Sequence, residues 1–231
     1  MAASRALIIG DVHGCAEELR ILLERCEYQP GDSVVFVGDL VAKGPDSQGV
    51  VKMARSLSAR TVLGNHDVRV LEIRQHLDKG EPPPRATKSH VTAAQSLSRD
   101  DVAWLRQKPF YLRLETYGVA VVHAGIVPGI PLEAQDPAQL TTLRSILPDG
   151  TPSPLATMGV PWASTWEGPE CVVFGHDARR GLQRHPWAYG LDTGCVYGGE
   201  LTALALPERR IISVSAKNVY LDRGKKEPLF P

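Results

Sequence analysis

The sequence has little of several features that mark whole classes of protein. Its 231 residues include four cysteines, none in a Cys-x-x-Cys pair, which excludes a disulfide framework. Lysine plus arginine and aspartate plus glutamate both number 26, so no net charge draws the chain to nucleic acid or to an acidic membrane. No signal peptide is evident, and no stretch approaches the ~20 apolar residues that span a bilayer. A cytoplasmic protein with reduced cysteines is therefore expected.

What is present is ordinary for a globular protein, with 43% hydrophobic and 23% charged residues. A chain of this length can bury a sizeable hydrophobic core without disulfides or structural metals to stabilise it. No linker clearly divides it, so we expect one domain over residues 1–231. Three consecutive prolines, Pro82–Pro84, predict a flexible loop over residues 79–90, and residues 222–231 are expected to form a C-terminal tail.

The first seventy residues repeat one pattern three times. A short apolar run of strand length ends in a glycine-containing polar loop, and a helical pattern follows, which predicts strands at residues 5–9, 33–37 and 60–63. Leu19, Leu22, Leu23 and Cys26 share one helical face. The second half is richer in strands, predicted at residues 111–115, 119–123, 171–175, 188–191, 201–206 and 211–214. This order predicts an α/β fold with a parallel sheet, in which two sheets pack together and helices lie outside.

Five of the glycine-containing loops directly follow apolar strands and carry polar side chains. Ligands bind outside the carboxyl ends of strands in open α/β sheets, so these loops could converge on one site. A single loop of this kind is usually only a turn, but together the five loops hold four of the seven histidines. The other three, His76, His90 and His185, are interpreted as surface or loop residues. An oxygen and nitrogen set without thiolate suits Mn, Fe, Co, Ni or Zn. The set predicts a dinuclear metal centre and comprises Asp11, His13, Asp39, Asn65, His66, His123 and His176.

The motifs Gly-Asp-x-His-Gly, Gly-Asp, Gly-Asn-His-Asp, His-Ala-Gly and Gly-His, in this order, resemble the calcineurin-like metallophosphoesterase superfamily and its phosphoprotein phosphatase branch. Residues 38–46 together with 64–67, and residues 191–202, are similar to symmetrical diadenosine tetraphosphatases and ApaH-like phosphatases. The resemblance implies a four-layer α-β-β-α sandwich of two mixed sheets. It also implies a hydrolase that uses two divalent metal ions, with manganese expected and iron, cobalt or zinc as alternatives.

Residue roles follow from the same resemblance. One metal is expected on Asp11, His13 and the bridging Asp39, and the other on Asp39 together with Asn65, His123 and His176. The two ions would activate a hydroxide that attacks phosphorus in line. His66 would be the general acid for the leaving oxygen, with an orienting role as the alternative.

The chain departs from the protein phosphatases of this branch at Ala42-Lys43, where they carry Asp-Arg. Their aspartate supports the histidine that corresponds to His66, so another carboxylate, such as Asp67, is expected to do so here, or His66 is weakly held. Lys43 can still bind phosphate as a point charge. These departures, together with Asp67 where those phosphatases carry Glu, favour the tetraphosphatase pattern over a Ser/Thr phosphoprotein phosphatase. Bacterial tetraphosphatases typically have Arg at the position of Lys43, so Lys43 marks a variant of that pattern, an ApaH-like phosphatase.

The expected substrate is a small nucleotide polyphosphate, namely diadenosine tetraphosphate or a related dinucleoside polyphosphate. Removal of the 5′ cap from RNA, protein dephosphorylation and a non-enzymatic scaffold are alternatives, and the complete ligand set speaks against the scaffold. Lys43, Arg179 and Tyr197 are the predicted substrate contacts. Weaker candidates for binding the polyphosphate or stacking on a base are Arg69, Arg85, Arg144, Arg180, Trp162 and Trp166.

Overall fold

The computed structural model describes residues 5–225 and 227–230, and its strands form three sheets. The expected domain and tail also include residues 1–4, 226 and 231, which lie outside the described residues. In chain order the strands are β1 (Ala6–Ile9), β2 (Ser33–Phe36), β3 (Arg60–Thr61), β4 (Tyr111–Leu114), β5 (Val119–Val122), β6 (Ser145–Ile146), β7 (Pro152–Ser153), β8 (Val160–Pro161), β9 (Cys171–Phe174), β10 (Gln183–His185), β11 (Ala188–Gly190), β12 (Glu200–Leu206) and β13 (Arg210–Ser215).

Two mixed sheets of five strands form the centre of the molecule. The first has the order β13-β12-β1-β2-β3, in which β1, β2 and β3 are parallel. The second has the order β10-β11-β9-β5-β4, in which β11, β9 and β5 are parallel. Ile8 and Val35 of the first sheet share a buried apolar cluster with Val121 and Val173 of the second. The predicted packing of two sheets is therefore confirmed.

The helices cover the outer faces of the two sheets. Leu19, Val50 and Leu105 lie in one apolar cluster with strand residues of the first sheet. On the second sheet, Leu140 packs in a cluster with Phe174. The four-layer sandwich is confirmed, although α6 is the only α-helix over the second sheet in the part of the chain that the structure describes. The helices are α1 (Ala16–Arg25), α2 (Ser47–Ser56), α3 (Asn65–Asp78), α4 (Lys88–Ser96), α5 (Arg99–Arg106) and α6 (Pro137–Thr142).

Membrane-spanning length is absent from these helices. Within residues 5–225 and 227–230, none combines the length and the apolar character needed to cross a bilayer.

The region predicted as a flexible loop over residues 79–90 ends in a helix, which corrects that prediction. α4 begins at Lys88, four residues after the last proline, so the proline rings do not block it. His90 was interpreted as a surface or loop residue, but it is only 8% exposed and lies on the buried side of α4 with Val91. The expected tail is also paired, because Lys88 N donates to Pro228 O at 2.8 Å and Phe230 N donates to Ala86 O at 2.9 Å.

Capping of α5 yields a stability prediction. Asp101 is buried, accepts hydrogen bonds from the backbone N–H and hydroxyl of Ser98, and lies 2.5 Å from Arg55 Nη1. We expect Asp101→Ala to lower the free energy of unfolding by about 2 kcal/mol, since it removes a cap and leaves the half-buried Arg55 guanidinium with only the exposed Asp100 carboxylate at 3.9 Å. Its neighbour Asp100 is 83% exposed, so Asp100→Ala is the control. Urea unfolding followed by circular dichroism measures both, and equal losses would contradict the prediction.

Candidate metal centre

Loops that follow strands of both sheets meet around a cavity of about 670 Å³. Parallel strands place their carboxyl ends together, which is why residues far apart in sequence converge here. Five of the six predicted metal ligands line the cavity, and the sixth, His123, is fully buried beside it. The loops after β1, β2, β3, β5 and β9 carry, in that order, Asp11 with His13, Asp39, Asn65 with His66, His123, and His176.

Two groups of potential ligand atoms share Asp39. One group is His13, Asp39 and His66, the other is Asp39, His123 and His176, and within each the atoms lie within 4.8 Å of one another. Asp39 Oδ2 is 3.4 Å from His13 Nε2 and 3.4 Å from His123 Nε2. A carboxylate between two groups of imidazoles is the arrangement that a bridging ligand requires.

Asp11 and Asn65 stand beside these groups with other contacts. Both carboxylate oxygens of Asp11 are 3.1 Å from the backbone nitrogen of His176, and Asn65 Oδ1 is 3.1 Å from His123 Nε2. The structure also places His66, the predicted acid, within the first group. All six predicted ligands and His66 are thus brought together.

The backbone is strained where these loops turn. Five of the eight described non-glycine residues with positive φ lie here, with φ between 47° and 67°. Each such residue costs about 1–3 kcal/mol, and such strain clusters at functional sites. These residues are His13, Asp39, Ala42, Lys43 and His176.

Two of the histidines have a fixed tautomer. His13 Nδ1 lies 3.2 Å from Val41 O, and His123 Nδ1 lies 2.9 Å from Val37 O. A carbonyl oxygen only accepts hydrogen bonds, so Nδ1–H is the donor in both rings and each Nε2 keeps its lone pair when the ring is neutral. Backbone carbonyls orient metal-binding histidines in this way.

The electrostatics of the cluster favour a cation. Burial raises the pKa of Asp11 well above its ordinary value, and the nearby Asp192 carboxylate raises it further. Burial alone would also raise the pKa of Asp39, but the neighbouring imidazoles, His123 first among them, together outweigh burial and hold that pKa well below its usual range. Burial and the ammonium of Lys43 lower the pKa of His13 to about 3, so this ring is neutral at physiological pH. The buried carboxylates of Asp11, Asp39 and Asp192 all line this cavity, and a divalent cation bound there would relieve their mutual repulsion.

One atom directly tests whether the residues fit a metal. His176 Nε2 is buried and has no hydrogen-bond partner among the described residues, which is costly for a polar nitrogen. The ring belongs to the second group of potential ligands, with Asp39 and His123. A metal ion would use this lone pair, and the oxygen and nitrogen donors suit the divalent ions expected from the sequence.

Asp67 does not orient His66, which corrects the expectation raised by Ala42. Its carboxylate accepts hydrogen bonds from the backbone nitrogens of Asp39 at 2.8 Å, Leu40 at 3.0 Å and Gly64 at 3.0 Å. Asp67 therefore fixes the loop that carries Asp39. His66 is not weakly held either, because its Nδ1 lies 2.8 Å from another side chain, His90 Nε2.

The predicted substrate contacts all line the cavity. Lys43 Nζ is 3.0 Å from His13 Nε2 and 5.4 Å from the ring centre of Tyr197. Arg179 is exposed on the wall. Arg223, which the sequence reasoning missed, also lines the cavity and lies 4.8 Å from the ring centre of Tyr197. Positive charge thus lies beside the tyrosine ring of the cavity lining.

The weaker candidates separate clearly. Arg144 lines the cavity. Arg180 binds Asp177, Ser145 Oγ and two backbone carbonyls, so its guanidinium is used within the fold. Trp162 is buried against Phe174, and Trp166 donates to Glu170 O, so both pack under their loop. Arg69 and Arg85 are outside the cavity lining.

Asp192 is a second residue that the sequence reasoning missed. It is buried, lines the cavity and affects the pKa of Asp11. It follows β11 by two residues, which is the same signal that identified the other loops. Arg223 carried no such signal, because it follows no strand directly and contacts the cavity only through the tertiary fold.

Comparison with known proteins agrees with this geometry. The chain is 31% identical to the symmetrical bis(5′-nucleosyl)-tetraphosphatase of Citrobacter koseri over 95% of this chain and 97% of the relative. It is 32% identical to the protein of the same name from Edwardsiella ictaluri, over 91% and 96%. A crystal structure described as a candidate diadenosine tetraphosphatase superimposes with a TM-score of 0.85 at 43% identity, covering 94% of this chain and 96% of that one. The family model for calcineurin-like phosphoesterases, enzymes that use divalent metal ions, matches residues 4–209, and the chain belongs to this family.

Proposed function

We propose that this metallophosphoesterase hydrolyses diadenosine tetraphosphate or related dinucleoside polyphosphates with two divalent metal ions, manganese first among them. The observation that carries the proposal is the composition of the cavity, where a cluster of metal-type donors adjoins four cationic side chains. Near full-length similarity to proteins named symmetrical tetraphosphatases supports it. The ligands would be Asp11, His13, Asp39, Asn65, His123 and His176.

The chemistry divides between the ions and the protein. When bound, the ions would activate the attacking water and withdraw charge from the phosphoryl oxygens. Asp39 offers its carboxylate to both groups of ligands and so sets their spacing. His66 lines the cavity and, as general acid, would give a proton to the leaving oxygen.

The walls of the cavity suit an extended anion with a nucleoside end. Lys43, Arg144, Arg179 and Arg223 distribute positive charge over the lining, beyond what one terminal phosphate needs. Tyr197 offers a ring on which a base of any kind can stack. A 5′ cap is a dinucleoside polyphosphate with one RNA arm, so capped RNA is the second candidate substrate.

Wild-type enzyme loaded with manganese tests the substrate class. We expect kcat/KM to be higher for diadenosine tetraphosphate than for a phosphoserine peptide, because Ala42-Lys43 lacks the planar guanidinium fork that holds a phosphomonoester. Capped RNA completes the panel. A higher value for capped RNA would shift the natural substrate to RNA, and a higher value for the phosphopeptide would overturn the proposal.

Lys43→Met is expected to lower both kcat and kcat/KM for the tetraphosphate by about tenfold to a hundredfold, as lost stabilisation of charge in the transition state. The control is Lys52→Met, because Lys52 is exposed on α2 and bonded to Gln48. Steady-state kinetics measure both variants. A rise in KM with unchanged kcat would show that Lys43 binds ground state and transition state alike.

We also propose a reducing compartment such as the cytoplasm. Its support is the chain's cysteines, because all four are buried and free.

A further inference from the structure

A line of three side chains leads away from His66 into the protein. His66 Nδ1 lies 2.8 Å from His90 Nε2, and the two ring planes are inclined by 10°. His90 Nδ1 lies 2.6 Å from Thr87 Oγ1. Both distances are hydrogen-bonding distances, so both ring nitrogens of His90 are used.

The far end of this line is anchored by chain that is distant in sequence. Thr87 forms an isolated antiparallel bridge with Leu229, and Ser89 N donates to Glu227 Oε1 at 2.7 Å. Thr87 and His90 therefore lie at the beginning of α4, and residues 227–230 hold this end of the helix in place. Because the ring of His90 cannot turn without breaking its bond to Thr87, it presents Nε2 to His66 in one direction.

We propose that His90 is the positioning residue of His66. Its imidazole holds the His66 ring in place, as the aspartate at the position of Ala42 does in the protein phosphatases. The proposal rests on the proposed role of His66 as general acid. The bond at Nδ1 fixes the plane of the His66 ring and leaves Nε2 as the ring nitrogen for the leaving oxygen. Loss of the bond lets the ring rotate, and misplacement of a reacting group by about 1 Å can cost about 10²-fold in rate.

A purely structural role predicts something different for His90. If His90 is only structural, removing its buried ring lowers stability and activity by the same amount whether or not His66 is present. A positioning residue loses its effect when the residue it positions is gone. A double-mutant cycle between the two histidines therefore separates the roles.

The experiment measures kcat of manganese-loaded enzyme for His90→Ala, His66→Asn and the double variant. Substrates are diadenosine tetraphosphate and two aryl phosphates, 4-nitrophenyl phosphate as the good leaving group and phenyl phosphate as the poor one. We expect His90→Ala to lower kcat about 10–10²-fold on phenyl phosphate, less on 4-nitrophenyl phosphate, and not at all in the His66→Asn background. His90→Gln, which retains a polar group in the buried position, should recover most of the rate. Losses that multiply in the double variant would overturn the proposal.

Controls keep the result independent of folding and of the substrate proposal. His76→Ala removes a half-exposed histidine of α3, outside the cavity lining, and should leave kcat unchanged. Thr87→Val keeps the His90 ring but removes the hydroxyl that anchors it, together with a longer 3.4 Å contact to Ser89 Oγ. It should give a smaller loss in the same direction, and it replaces His90→Ala if that variant is too unstable to assay. A wild-type enzyme that cleaves aryl phosphates but not the tetraphosphate refutes the substrate alone, and the cycle still decides the role of His90. If His66→Asn retains full rate, both the acid role and the positioning role are refuted.

Discussion

Asp39→Asn is expected to remove nearly all activity and most of the bound metal. The carboxylate lies between both groups of potential ligands, so an amide in its place weakens both at once. Metal ions supply several kcal/mol of transition-state stabilisation and each 1.4 kcal/mol is about tenfold, so we expect a loss of about 10³-fold or more. Elemental analysis of the purified variant and its rate on the tetraphosphate are the measurements.

Metal removal provides an independent check of the same residue. A chelator should lower the melting temperature of the wild type, because a ligand at a hundredfold excess over its Kd stabilises the fold by about 2.7 kcal/mol. The Asp39→Asn variant should show little of this shift. Asp149→Asn, at an exposed loop position, is the control for loss of a carboxylate. Full metal content together with wild-type rate in Asp39→Asn would refute the shared site.

His66→Asn is expected to lower kcat about 10²–10⁴-fold, which is the usual contribution of general acid catalysis. His66 lies in the first turn of α3, directly after Asn65, and asparagine keeps a polar side chain there. Metal content should stay at the wild-type level if His66 is the acid. The loss should also shrink on 4-nitrophenyl phosphate, whose leaving group needs no proton.

His76→Asn, on the same helix, is the matched control and should behave as wild type. An equal loss on good and poor leaving groups would assign His66 an orienting role. Loss of metal in His66→Asn would instead make His66 a ligand, in agreement with its place in the first group of potential ligands.

Local patterns predicted the strands and the loops that carry the candidate ligands. Each apolar run, its glycine and its polar residue lie within a few positions, as in residues 33–39, so sequence spacing alone locates Asp39 at the end of β2. The same reasoning should have included Asp192 after β11. For these residues, secondary structure determines the position in the site.

The remaining contacts could not be predicted because they are made by tertiary packing. His90 is 24 residues from His66 and reaches it only because α4 lies against α3. Arg223 reaches the cavity from near the end of the described chain. The substitution of a carboxylate by Ala42 indicated that a partner for His66 was needed, but not where that partner lies. The composition of residues 79–90 did not predict that His90 is buried, since the prolines at 82–84 suggested a loop up to residue 90.

The sheet order has a consequence for how the site comes into being. β1 pairs with β12 in the register Ala6 with Leu206, so the strand that carries Asp11 and His13 gains one of its two neighbours from a partner nearly the whole chain away. Long-range pairing is slow to form because the entropy of closing the loop comes before the contacts. We therefore expect the first sheet, and with it the strand that leads into Asp11 and His13, to be completed late in folding. Tight metal binding should report the completed fold rather than help to nucleate it.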